Sequence, residues 1–359
     1  MDHLNKLEEM YKKDQIGEIV NQSEGLRYLY IKSLSRSIYM DELIKQFSLS
    51  DKEKLLVKEK LPLIFCSPLR KNEIQSYINQ KYIEERKKRL LNEDELYNEL
   101  YKLKEFDWGG LYQNSLEQTI VNNYIKKIPN YNELEDHINN SLQDSLRGYV
   151  RCSWYNHWTS IMIEDIFKDF SRVTPALGQI KKIDFFIDET PFDLKVTYLP
   201  EGFIKQKRKE EGLRPELTLL KQSARDLSIS FDKSTPSADL LQDLWLKHKE
   251  YNSSNKLVLD LERFRKKLVE EVQSNPDSLM IWLYENQGIR RFDSANRFFI
   301  VFINNENAFE GWTMKRSLPL IKKSLKEYFS KTQKIGKKIN FNWENKTYAT
   351  TSDMILISN

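Results

Sequence analysis

The segment Arg297–Asn304 reads RFFIVFIN, and its continuously apolar centre constrains the fold of this chain more than any other feature. Such a run is typical of a β-strand that is buried on both faces of its sheet. It is far too short to cross a bilayer, which takes about 20 apolar residues. At roughly 150 residues per domain, a chain of 359 residues has room for about two domains.

The elements predicted around this strand alternate between helix and strand, which favours an α/β fold. A helical insertion is expected around residues 230–290. In chain order the pattern predicts a helix over Tyr155–Phe170, a loop with Pro175 and Gly178, strands at Ile180–Asp188 and Phe192–Leu199, helices within 215–286, the buried strand, a basic helix at Leu318–Tyr328, and strands at Ile339–Trp343 and Met354–Ile357.

The N-terminal region, residues 1–145, carries apolar residues at helical spacing with charges between them. It contains no recognisable functional motif. The sequence therefore predicts two parts, a helical region over residues 1–145 and an α/β domain over residues 146–359 with the insertion inside it.

Several function classes are excluded by what the composition lacks. The four histidines and the two cysteines, Cys66 and Cys152, do not have the spacing of metal ligands. Glycine-rich phosphate loops, nucleophile turns and dinucleotide fingerprints are also missing. The first residues are polar and acidic rather than a signal peptide, so we expect a cytoplasmic, soluble protein without an organic cofactor.

The segment Lys181–Thr197, KKIDFFIDETPFDLKVT, predicts a β-hairpin that carries charge on an apolar frame. If Glu189 and Thr190 form the centre of its turn, Asp184 lies opposite Lys195 and diagonal to Asp193, on one face. A different turn length would change this register. Two carboxylates and an ammonium group suit Mg²⁺-dependent phosphodiester hydrolysis, since Mg²⁺ prefers carboxylate oxygens.

Asp184, eight intervening residues and then Asp193-Leu194-Lys195 resemble the signature of the PD-(D/E)xK nuclease superfamily, and type II restriction endonucleases in particular. The resemblance covers about residues 150–345. It departs from the signature at Ile183, where the family name has proline. It implies a restriction-endonuclease-like core, in which a mixed sheet is flanked by helices.

The resemblance also implies a division of roles. Asp184, Asp193 and the Leu194 carbonyl would hold Mg²⁺, for which Mn²⁺ would substitute, and Lys195 would position the attacking water. Glu164 would assist from the preceding helix, or it forms only an ion pair with Lys168. The substrate would be double-stranded DNA, and the products would carry 5′-phosphate and 3′-hydroxyl ends.

Basic clusters near this hairpin predict contacts with DNA phosphates. The candidates are Lys205, Lys207, Arg208, Lys209, Arg290, Arg291, Lys322 and Lys323. Arg290 and Arg291 are also candidates for reading guanine edges. The alternative for each run is a solvated surface.

Two further polar residues are interpreted as structural rather than catalytic. Asp188 is expected to be a turn residue, and His157 is expected to cap or pack its helix rather than act as a base.

Other functions remain open on the sequence alone. The same fold serves non-specific, repair and phage-defence nucleases, and a non-catalytic DNA-binding protein is a further alternative. The N-terminal region would clamp DNA, read bases or form a homodimer.

Overall fold

The computed structural model describes residues 2–51, 55–108, 117, 120–252, 255–287, 292–331 and 334–359. These residues form a mixed α/β protein. The α-helices are α1 (Asp2–Lys12), α2 (Ile16–Val20), α3 (Gly25–Ser33), α4 (Ser37–Gln46), α5 (Val57–Cys66), α6 (Lys71–Leu90), α7 (Glu93–Leu100), α8 (Tyr131–His137), α9 (Gln143–Lys168), α10 (Glu201–Glu210), α11 (Glu216–Asp226), α12 (Ser237–Tyr251), α13 (Lys256–Ser274), α14 (Asp277–Glu285) and α15 (Leu318–Ser330).

The strands are β1 (Val173–Ile180), β2 (Ile183–Ile187), β3 (Thr190–Tyr198), β4 (Arg297–Ile303), β5 (Lys337–Trp343) and β6 (Lys346–Ser358). Short π-helices occupy Val121–Ile125 and Ile138–Leu142, and a 3₁₀ segment occupies Ala308–Arg316.

The chain folds into two compact units. The first comprises Met1–Pro191 and Trp312–Thr332, and the second comprises Phe192–Gly311 and Gln333–Asn359. This division does not follow the expected boundary at residue 145, because the N-terminal helices share one hydrophobic core with β1 and β2.

In the first unit, β2 is covered on both sides. The ring of Phe186 meets Tyr30 of α3 edge-on at 4.8 Å. The next ring, Phe185, points to the other face and stacks on Phe167 of α9 at 5.1 Å. Successive strand residues face opposite ways, so the apolar run Phe185–Ile187 within β2 suits a strand between two helical layers.

The loop expected around Pro175 and Gly178 is wrong, because these residues lie within β1, which pairs antiparallel with β2. The pairing register shifts between Pro175 and Ile180. A proline and a glycine are tolerated in a strand at such an irregularity, which is why they misled the sequence interpretation.

In the second unit, β3, β4 and β6 run parallel and β5 is antiparallel to β6. All seven residues of β4 are buried, which confirms the strand predicted from its apolar run. Helices α12, α13 and α14 occupy the expected insertion. Among the described residues, no helix combines the length and apolarity needed to span a membrane.

Candidate active site

The Asp-x-Lys half of the predicted motif lies on β3 in the second unit. Asp193 and Lys195 are two residues apart, so their side chains leave the strand on the same side. The Lys195 Nζ lies 2.6 Å from Asp193 Oδ2 and 2.8 Å from Oδ1. The carboxylate side chain is 13% exposed and the lysine side chain is 46% exposed. The ammonium group therefore covers a largely buried carboxylate from the solvent side.

A second cation approaches the same carboxylate from the neighbouring strand. Arg297 opens β4 and pairs with Asp193 in the parallel register. Its Nε lies 3.6 Å from Asp193 Oδ2 and is buried without a hydrogen-bond partner. Its Nη2 donates to Gln287 Oε1 at 2.6 Å and to Asp293 Oδ1 at 2.9 Å. Asp193 thus lies between one anchored cation and one exposed cation.

Arg297 was not among the predicted site residues. The available signal was a charged residue at the start of an otherwise wholly apolar strand. Burial of such a charge is costly unless it is paired. The identity of its partner depends on the pairing of two strands about 100 positions apart in the chain, which a single sequence does not reveal.

The Asp193 carboxylate is an oxygen ligand of the kind that Mg²⁺ prefers. The Lys195 side chain that covers this carboxylate is 46% exposed, so solvent screens its charge. Leu194 lies between the two charged residues, and its carbonyl is the further oxygen ligand that the motif implies.

Within the described part of the chain, no group of three or more His, Cys, Asp and Glu side chains is arranged to hold a metal. The predicted ligand set is smaller than that, with two carboxylates and one backbone carbonyl.

Two other predicted residues, Asp184 and Glu164, lie in the first unit. Both line one cleft of about 1150 Å³, together with His157. Glu164 forms an ion pair with Lys168, one helical turn away, so the pairing that the sequence suggested is present. It remains half-buried at the cleft surface, so both interpretations of Glu164 stay compatible with its position.

The turn of the predicted hairpin is displaced by one residue from the expected position. Asp188 and Glu189, not Glu189 and Thr190, form its centre, and both have left-handed φ angles, of 45° and 69°. Two left-handed residues in succession are the mark of a type I′ turn, a conformation that aspartate tolerates. Asp188 also pairs with Arg172, in keeping with its expected role as a turn residue.

The basic residues of α10 divide into two kinds. Lys205 and Lys209 are exposed, and Lys207 pairs with Glu210 at 2.7 Å. Arg208 is buried, its Nε donates to the Arg214 carbonyl at 2.8 Å, and its guanidinium lies over the Phe264 ring. Burial also lowers the pKa of Arg208. Arg208 thus serves packing in this unit, whereas Lys205 and Lys209 are placed where a phosphate can reach them.

On α15 of the first unit, Lys322 and Lys323 are exposed, and Lys322 pairs with Glu93 at 2.8 Å. Arg290 and Arg291 lie outside the described residues. Contact of any of these residues with DNA stays a prediction.

No protein-family model, curated protein or solved structure matches this chain.

Proposed function

We propose that this protein is a Mg²⁺-dependent endonuclease that hydrolyses phosphodiester bonds of double-stranded DNA, with the site specificity of a type II restriction enzyme. The proposal includes a restriction-endonuclease-like core and a cytoplasmic location. It takes its chemistry from the resemblance of Asp184 and Asp193-Leu194-Lys195 to the PD-(D/E)xK signature.

The observation that carries the proposal is the placement of Asp193, Lys195 and Arg297. A purely structural ion pair would close all of its hydrogen bonds, because a buried donor without a partner is costly. Here the buried Arg297 Nε lacks a hydrogen-bond partner while the exposed Lys195 covers the carboxylate. A buried donor without a partner beside a carboxylate calls for an explanation, and a ligand bound at this site would supply one.

In the proposed reaction a water oxygen attacks phosphorus, the bond from phosphorus to the 3′ oxygen breaks, and that oxygen takes up a proton. Lys195 orients the water and offsets the charge that develops on the phosphoryl oxygens. Asp193, Asp184 and the Leu194 carbonyl would hold Mg²⁺, which when bound polarises the phosphoryl group. Arg297 positions Asp193 and does not contact the substrate.

The role of Asp184 comes from the resemblance to the PD-(D/E)xK signature. Asp184 lies in the first unit and Asp193 in the second, so the proposal that both carboxylates serve one metal rests on that signature.

The first experiment is incubation of the full chain with bacterial genomic DNA, with Mg²⁺ or with EDTA, followed by sequencing of fragment ends. The proposal expects Mg²⁺-dependent fragments with 5′-phosphate ends and one common end sequence. Fragments with random ends would indicate a non-specific nuclease of the same fold. DNA that is retarded on a gel but never cut, with Mg²⁺ or Mn²⁺, would favour a non-catalytic DNA-binding protein and contradict the proposal.

A further inference from the structure

The cleft of the first unit that contains Asp184 and Glu164 has a second wall made by the N-terminal helices. Its volume of about 1150 Å³ exceeds the range of ordinary small-molecule pockets, about 300–1000 Å³. Ser35 and Arg36 reach it from the connection between α3 and α4, and Tyr11 reaches it from α1. The region without a recognisable motif therefore shapes the surroundings of two predicted site residues.

This wall is fixed closely against β1. A Cβ atom at Gly178 would lie 2.1 Å from the Ser35 Oγ and 3.2 Å from the Ser33 carbonyl oxygen. A side chain at position 178 would push the Ser35 side chain aside and press on the backbone of the α3–α4 connection, so glycine suits this close approach of β1. The backbone amide of Lys181 also donates to the Tyr11 hydroxyl at 2.9 Å, which ties α1 to the segment that precedes Asp184.

The cations of the cleft differ in how firmly they are held. Arg89 donates two hydrogen bonds to the Asp165 carboxylate, at 2.7 and 2.8 Å, so its guanidinium is already firmly paired. The Arg36 side chain is 61% exposed, and its Nη1 lies 3.7 Å from Glu85 Oε1. The Lys181 side chain is 55% exposed, and its Nζ lies 3.5 Å from Asp14 Oδ1. Loose exposed pairs of this kind give up their partners at little cost.

We infer that this cleft receives the sugar-phosphate backbone of the strand that is cut, and that Arg36 and Lys181 bind its phosphates. The inference rests on the proposed function, and it gives the N-terminal helices the role of a substrate-binding wall. Carboxylates in the cleft repel a polyanion, so a strand enters only where cations offset that charge. Arg36 and Lys181 are the loosely paired cations that line the cleft in the described part of the chain.

The test is equilibrium binding of the full chain to a fluorescein-labelled 30-base-pair duplex, measured by anisotropy over a series of NaCl concentrations. Ca²⁺ replaces Mg²⁺, and gels verify that the duplex stays intact. Each lost phosphate contact lowers the slope of log K against log[salt] by about 0.9. The double variant Arg36→Ala/Lys181→Ala should lower the slope by about 2 and weaken binding.

The matched control is Arg70→Ala. Arg70 is an exposed arginine of the same unit, is loosely paired with Glu73 at 3.4 Å, and lines a different cleft. It should leave the slope unchanged. The exchange variant Arg36→Lys/Lys181→Arg should restore most of the wild-type slope, and thermal unfolding should show that all variants fold.

A double variant with the slope and affinity of wild type would overturn the inference, as would wild-type protein that does not bind the duplex at low salt. Cleavage in Mg²⁺ separates the two proposals. A reduced slope without any cleavage would leave the binding cleft standing and remove the nuclease. Cleavage by wild type together with an unchanged slope in the double variant would leave the nuclease standing and remove the binding cleft.

Discussion

Two arginine-centred networks in the second unit show how a closed ion network differs from an open one. Arg265 is buried, donates to both carboxylate oxygens of Glu201 and of Glu216, and lies over the rings of Trp245 and Phe309. Its arginine is buried, and the Nε, Nη1 and Nη2 atoms of Arg265 each donate to a carboxylate. It satisfies the rule that buried charge is retained when it is paired and hydrogen-bonded.

The network around Arg297 is similar in composition but open. The Arg297 Nε has no hydrogen-bond partner, and the Asp193 carboxylate is covered by the exposed side chain of Lys195. We propose that the first network stabilises the fold and that the second keeps the Asp193 carboxylate available to a metal ion. The comparison can be tested by removing one charge at a time from each network.

The largest effect is expected for Arg265→Met. This substitution leaves the buried Glu216 and the half-exposed Glu201 without their cation, so we expect a loss of about 3–5 kcal/mol in the free energy of unfolding. Chemical denaturation measures this loss.

Asp193→Asn, the corresponding change in the open network, should cost less than Arg265→Met, because Arg297 keeps its hydrogen bonds to Gln287 and Asp293. Equal losses for the two variants would contradict the distinction between the networks.

Lys195→Met should lower the rate of Mg²⁺-dependent DNA cleavage by about 10²–10³-fold, the usual effect of removing one group that stabilises transition-state charge. Stability should stay within about 1 kcal/mol of wild type, because the lysine is about half exposed and Asp193 keeps its ion pair with Arg297. Lys247→Met is the matched control, since Lys247 pairs with Asp243 at 2.8 Å on the exposed side of α12. A cleavage rate for Lys195→Met equal to that of the control would remove the catalytic role.

A buried lysine in the first unit tests the same principle through pH. Lys315 donates to the neutral amide oxygen of Asn156 at 2.9 Å, and burial lowers its pKa to about 8. Between that value and its unfolded pKa, about 10.4, the unfolded state holds the proton and the folded state does not. Stability should therefore rise with pH above 8, by at most about 1.4 kcal/mol per unit.

The measurement is the difference in unfolding free energy between wild type and Lys315→Met from pH 7 to pH 9.5, which cancels other titrations. Lys315→Met should be the more stable protein near pH 7, and its advantage should shrink as the pH rises. A difference that does not change with pH would mean that Lys315 keeps its ordinary pKa in the fold.

The smallest effect is expected on α10. Lys205→Ala/Lys209→Ala should lower the salt dependence of DNA binding by about 2 in the log–log slope without changing the unfolding free energy. Arg208→Ala should instead destabilise the fold, since this arginine is buried against Phe264. Loss of DNA binding in Arg208→Ala with stability unchanged would reverse the assignment.

Features set by local sequence were predicted well. The apolar run that became β4 and the rings of β2 follow directly from side-chain alternation, because a strand between two layers needs apolar residues on both sides. The turn was displaced by one residue, since Asp188 adopts a left-handed conformation that the sequence pattern does not distinguish from a strand end.

Features set by distant pairing were not predictable. Arg297 reaches Asp193 only because β3 and β4 run parallel in one particular register. Arg208 and Lys205 look alike in sequence, yet one is buried and the other exposed, because the helix that carries them presents one side to Phe264. The use of each charge depends on its neighbours in space.

The central claim is that the Asp193 carboxylate serves metal-dependent phosphodiester hydrolysis. Its most direct test is single-turnover cleavage of supercoiled plasmid by wild type, Asp193→Asn and the matched variant Asp243→Asn, each in Mg²⁺ and in EDTA. We predict cleavage by wild type and Asp243→Asn in Mg²⁺ alone, and at least a 100-fold loss in folded Asp193→Asn. Wild-type rates in Asp193→Asn, or plasmid left intact by wild type in both Mg²⁺ and Mn²⁺, would contradict the account.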